Sequence, residues 1–127
     1  MAEEQKTRQI IRILNTDLPG SVGIKNGLSK IKGIGANLSR TICVKMGLDP
    51  LKKVNSFSND ELKALEIKLK EMEGIDNWML NRQKDFDSGE NKHLLTTNLN
   101  LTFQFDKKRL QKIKSYRGLR LAAGLPV

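Results

Sequence analysis

The sequence predicts a mainly α-helical protein, and three stretches carry that prediction. Leu28 to Met46, LSKIKGIGANLSRTICVKM, puts Leu28 and Ile31 on one short helical face, breaks at Gly33-Ile34-Gly35, and resumes with Leu38, Ile42 and Met46 at helical spacing. Ser58 to Gly74 opens on capping-box residues and carries Leu62, Leu65, Leu69 and Met72 along one face. Asn100 caps a longer last helix reaching about Ser115, with Phe103, Leu110 and Ile113 on one side.

Taken in order, residues 1–8 read as a flexible lead, because beyond Met1 and Ala2 they offer no apolar side chain to offset ordering entropy. Residues 9–91 read as a helical head, and residues 92–127 as a C-terminal helix and basic arm. Gln9 to Leu14, QIIRIL, is a short strand or extended segment bounded by Asn15 to Gly20, and it cannot support a sheet alone. Ser21 or its successors open the helix that carries Ile24 and Leu28 towards the glycine turn. Gly47 lies where a helix C-cap belongs, Asp49-Pro50 supplies a stop, and Leu51 to Phe57 reads as a linker. From Ile75 to Asn91 the chain changes character, with Trp78, Arg82, Lys84 and a Ser88-Gly89 turn. Trp78 has Ile75, Met79 and Leu80 around it, so it is expected to cap a small core rather than stack on a base.

At 127 residues there is room for one small domain, with or without an extension, and no deep substrate cavity is expected. Lys and Arg outnumber Asp and Glu by 23 to 14, for a net charge of +9. A polyanion is the natural partner. The excess is uneven: no acidic residue follows Asp106, whereas Lys107, Lys108, Arg109, Lys112, Lys114, Arg117 and Arg120 do. A basic run can be a solvated face, but this one holds Tyr116 between cations, the mixture of ring and charge that RNA sites use. Membrane insertion is not expected, since no stretch approaches the 18 or so apolar residues of a spanning helix, and the polar start MAEEQKTRQ gives no targeting signal. A cytoplasmic location fits.

Catalysis finds little support. Cys43 is the single cysteine, set between Ile42 and Val44 as small core filler. His93 is the single histidine, which argues against a zinc site. Asp85, Asp87 and Glu90 flank the Ser88-Gly89 turn without a nucleophile and base to serve. No cofactor is implied.

The spacing Leu-x-x-Ile-x-Gly-Ile-Gly-x-x-x-Ser-x-x-Ile from Leu28 to Ile42 resembles the helix-hairpin-helix class of nucleic-acid-binding turns, in which a small residue, here Ser39, lets two helices pack closely. Backbone amides from Gly33 through Ile34 and Gly35 to Ala36, the positive end of the second helix, and Lys30, Lys32 and Arg40 would then cradle a phosphate. The plain alternative is a helical hairpin whose glycines serve only the turn.

Further stretches extend the likeness. Arg12-Ile-Leu-Asn-Thr-Asp-Leu-Pro-Gly20, Leu28-Ser-Lys-Ile-Lys-Gly-Ile-Gly35, Ser115-Tyr-Arg-Gly-Leu-Arg120 and Gly124-Leu-Pro-Val127 resemble, in this order, the universal small-subunit ribosomal protein thirteen family, called eighteen in eukaryotes. Asn77-Trp-Met-Leu-Asn-Arg-Gln-Lys-Asp85 is similar to its archaeal and eukaryotic branch. The resemblance implies a helix-two-turns-helix head, a long C-terminal helix and arm, and a place in the head of the small subunit. It implies 16S-type rRNA as ligand, small-subunit protein nineteen as neighbour, and large-subunit protein five across an inter-subunit bridge. On matching positions, Lys30, Lys32, Gly33, Gly35 and Arg40 would meet rRNA, and Arg117, Gly118 and Arg120 would continue that contact. Family members usually carry basic or histidine-containing residues where this chain has Leu121-Ala122-Ala123, and a basic tail beyond Gly-Leu-Pro-Val. That tail approaches peptidyl-site tRNA, so a tRNA contact is not carried over. The competing reading is a helix-hairpin-helix DNA-binding module of a repair or recombination complex.

Overall fold

The computed structural model describes residues 10–127, so the expected lead over residues 1–8 lies outside the described residues. They form a mainly helical structure in two compact units, one ending at Thr96 and the other covering Thr97–Val127.

The first unit opens with a hairpin. β1 (Ile10–Ile13) pairs antiparallel with β2 (Thr16–Pro19), Ile10 opposite Pro19 and Ile13 opposite Thr16. Leu14 and Asn15 between them take φ of 47° and 60°, the positive values a two-residue hairpin turn demands. In the sequence, residues 15–20 read as the boundary of an extended segment; the turn is tighter, and four of them supply the strand that β1 needs. Alternation turns Ile11 and Ile13 inward, and the Leu14 N–H donates to Glu66 Oε1 at 3.1 Å.

α1 (Ile24–Leu28) and α2 (Ala36–Met46) follow, joined by the glycine turn. α2 ends on Gly47 at φ 67°, with Gly47 and Leu48 N–H groups donating to Val44 and Cys43 carbonyls, a Schellman closure. The segment expected as a linker is part of the core. Ile24 N–H donates to the Lys52 carbonyl at 2.8 Å and Val54 N–H to the Val22 carbonyl at 3.1 Å, while Val54 and Phe57 are buried. Fixing this stretch beside α1 satisfies backbone groups that a free linker would leave to water.

α3 (Asn59–Glu71) starts on the expected capping box: Ser58 Oγ accepts from the Glu61 N–H at 3.3 Å, and Glu61 Oε2 accepts from the Ser58 N–H at 2.8 Å. That last bond holds the Glu61 carboxyl below its usual range. The helix closes on Met72, in the left-handed conformation at φ 48°, before Gly74 is reached. Leu62, Leu65 and Leu69 are buried against Ile13, Leu18, Ile24, Leu28, Ile31 and Ile42 in one core. Each such side chain contributes about 1.5–3 kcal/mol over exposure. Cys43 lies fully buried among them, and burial pushes its thiol up, as fits a filler.

Beyond α3 a 3-10 turn at Asn77–Met79 places Ile75 and Met79 against the core but turns Trp78 outward, 74% exposed. Trp78 is therefore not the core cap the sequence suggests. The loop returns through an isolated bridge between Arg82 and Lys92, and Leu95 enters the core. The first compact unit runs to Thr96.

The second unit consists of α4 (Thr96–Ile113), whose first residue closes the first unit, and α5 (Tyr116–Ala122). α4 starts earlier than the Asn100 cap expected, and Asn100 lies inside it. None of its residues is buried: Phe103 and Ile113 are 61% and 67% exposed. α5 replaces part of the expected arm, with Ser115 as its cap.

Candidate nucleic-acid interface

The glycine turn is held from three directions. Ser39, fully buried, donates its hydroxyl to the Lys25 carbonyl, so α1 and α2 pack as closely as a small residue allows. The Lys32 carbonyl accepts from the Thr96 N–H at 3.0 Å. The Gly33 carbonyl takes His93 Nε2 at 2.7 Å, and His93 Nδ1 accepts from the Asn81 N–H at 3.2 Å. Because Nδ1 is an acceptor, Nε2 carries the proton and the ring is neutral; burial holds its pKa below the ordinary value, against the Gly33 bond. His93 is thus a clasp between the turn and the loop before it, a role nothing in its sequence context announces.

The two glycines of the turn have different reasons to be glycine. Gly33 sits at φ 102°, and a Cβ there would come within 2.6 Å of the Leu94 carbonyl oxygen. Its absence of side chain serves internal packing. Gly35 has ordinary extended φ and ψ of −94° and −178°, and a Cβ there would meet nothing within 4 Å. Gly35 is the N-cap of α2 and, among the described residues, no side chain caps that helix, so its first-turn amides lack a side-chain acceptor at the positive end of the helix dipole. Ala36 is exposed, as are Lys30, Lys32 and Arg40. Ile34 differs: it is 4% exposed and its N–H is given to the Ile31 carbonyl, so only its carbonyl remains to offer.

In the second unit the basic side chains fall on α4, on α5 and, for Lys114, on the turn between them. Lys108 and Lys112 are one helical turn apart and exposed, as are Lys114 and Arg117. Lys107 lies over the Phe103 ring at 5.4 Å, and Arg120 over the Tyr116 ring at 5.9 Å, with Tyr116 74% exposed. Arg109 pairs with Asp106 at 3.1 Å. Two expected contacts are occupied within the unit. Arg120 Nε donates to the Pro126 carbonyl at 2.8 Å. Gly118 is buried, and a Cβ on it would fall 2.3 Å from the Leu110 carbonyl oxygen of α4, so it is the residue that lets α5 turn back on α4. Ser115 completes that junction, its hydroxyl accepting from Gly118 N–H and donating to Leu110 O, each at 3.1 Å.

Among the described residues no cluster of His, Cys, Asp or Glu could hold a metal ion, and no helix is long and apolar enough to cross a membrane. The decisive observation is a family match: the model of the ribosomal protein S13/S18 family matches residues 12–127. The chain belongs to that family. As an S13/S18 member it falls in a structural, non-enzymatic class of ribosomal proteins, on its archaeal side. It is 41% identical to the small ribosomal subunit protein uS13 of Methanopyrus kandleri over its whole length and 86% of that protein. The same-named proteins of Methanococcoides burtonii and Hyperthermus butylicus are 42% and 40% identical, over all of this chain and 86% and 85% of theirs. The S13/S18 match takes in the glycine turn, the Trp78 loop and the basic second unit alike.

Proposed function

We propose that this protein is a structural constituent of the small ribosomal subunit that works in the cytoplasm by holding rRNA in the subunit head, through charge and shape rather than chemistry. The observation that carries the reading is the start of α2, an uncapped helix N-terminus beside an open Gly35, with Lys30, Lys32 and Arg40 exposed near it in sequence. A phosphate oxygen there would accept from helix amides while the cations offset its charge. In this reading Gly33 shapes the turn from behind, Gly35 and Ala36 admit the phosphate, and Lys107, Lys108, Lys112, Lys114, Tyr116 and Arg117 of the C-terminal helix and arm make rRNA contacts of their own. The head of residues 9–91, lengthened to Thr96, would be the platform. The names of the archaeal relatives support the subunit assignment. The family likeness supports 16S-type rRNA as ligand, small-subunit protein nineteen as neighbour and large-subunit protein five across an inter-subunit bridge.

The test is a salt titration of the full chain on a small-subunit head rRNA fragment. Each phosphate contact adds roughly 0.7–0.9 to the log-log slope. The variant K30Q/K32Q/R40Q should keep its helicity, bind more weakly and lose about 2 units of slope. Unchanged binding would overturn the site. Preference for duplex DNA over rRNA would favour the repair-module reading instead.

A further inference from the structure

We propose that the Trp78 loop, Asp76 to Asn91, is a docking surface for a basic segment of a neighbouring protein, not a contact for RNA. Trp78 is 74% exposed on a 3-10 turn whose neighbours Ile75 and Met79 are packed inward, and Phe86 farther along the loop is 69% exposed. A tryptophan ring at such exposure on a tied-down loop marks an interaction surface.

The loop is firmly tied. The Asn81 side chain clamps Leu94 with two hydrogen bonds of 2.8 Å each, donating to its carbonyl and accepting from its N–H. Asp85 binds Arg82 at 2.8 Å and Lys92 at 3.2 Å and accepts from the Ser88 hydroxyl, which together hold its carboxyl well below the usual range. The ring of Trp78 is therefore presented from a fixed frame.

Charge selects the occupant. From Asp76 to Asn91 the sequence has four acidic side chains and two basic, in a chain of net charge +9. Asp85 is paired internally with Arg82 and Lys92, while Asp76, Asp87 and Glu90 are exposed, as is Lys84, and among the described residues those three carboxylates form no ion pair. A phosphate chain laid along this loop would run against its net negative charge. An arginine-bearing peptide would instead stack a guanidinium on the indole face and pair with those carboxylates. The proposal rests on the small-subunit reading above but not on its rRNA site, which concerns the opposite charge on other elements.

Trp78 is the only tryptophan, so its fluorescence reports on this loop alone in the full chain. A short synthetic peptide alternating arginine with leucine and glycine should shift that emission saturably, and oligouridylate should not. The variant D76N/D87N/E90Q should weaken the peptide roughly tenfold, by the summed worth of three rim pairs. K30Q/K32Q/R40Q should leave it unchanged. In assembled small subunits, a photocrosslinking benzoylphenylalanine replacing Trp78 should yield an adduct to a Lys- or Arg-rich peptide. A silent peptide titration, an emission change driven by oligouridylate, or a crosslink to RNA or to nothing would each overturn the proposal.

Discussion

The two units of this chain treat apolar side chains in opposite ways. The first buries Ile13, Leu28, Ile42 and Leu69 in a core closed by strands, helices and the Val54 segment, while α4 of the second buries no residue and leaves Phe103, Phe105 and Ile113 mostly exposed. The acid–base balance diverges too, since the second unit holds seven cationic side chains against one acidic one. One unit is organised by its own interior. The other carries rings and cations outward, and its order is set by caps and by the Gly118 contact rather than by a core.

The sharpest way to break this comparison is to truncate one apolar residue in each unit. Leu69→Ala should cost about 2–5 kcal/mol in chemical denaturation, because the cavity it opens lies under α3. Phe103→Ala should change stability by about 0.5 kcal/mol or less. Equal losses would mean that α4 is held by burial after all.

A second pair contrasts the two glycines of the turn. Gly33→Ala should destabilise the first unit by about 1–3 kcal/mol through positive φ, with the close approach to the Leu94 carbonyl adding to it. Gly35→Ala should leave stability within about 0.5 kcal/mol of the parent. In RNA binding the ranking reverses in kind: Gly35→Ala should weaken it while the protein stays folded, measured by the salt titration beside thermal melting.

The smallest effect concerns pH. Because His93 is held below its ordinary pKa in the folded state, the unfolded chain binds the proton more readily. The contribution of the neutral ring is whole above the unfolded value of about 6.5 and declines as pH falls from there towards the folded pKa. Denaturant midpoints should therefore drop across that interval in the parent and drop less in His93→Gln. Equal pH profiles would remove His93 as a clasp.

What the sequence reveals follows from where each signal sits. The capping box at Ser58 and Glu61, the Gly47 closure and the faces of α2 and α3 are local patterns, and each is legible because the partners lie within a few residues. Strand β2 is harder to see: its Pro19 and polar Thr16 and Asp17 look like a boundary until a tight turn at Leu14-Asn15 makes them a partner. Trp78 misleads because apolar neighbours suggest a shared interior, whereas the 3-10 turn separates the directions of adjacent side chains. The basic candidates Lys30, Lys32 and Arg40 are on the surface as a charge pattern suggests, but the roles of Gly33, Gly118 and His93 are set by contacts with Leu94, Leu110 and Asn81, which no spacing rule predicts.

The bond from the Leu14 N–H to Glu66 ties the tip of the first hairpin to the middle of α3. During synthesis the chain emerges from its amino end at about 5–20 residues per second, so the hairpin is made seconds before its anchor exists. Two side-chain-bearing residues at positive φ are a poor turn to close alone. The opening strands therefore gain this anchor only once the third helix is made, 52 residues farther along the chain.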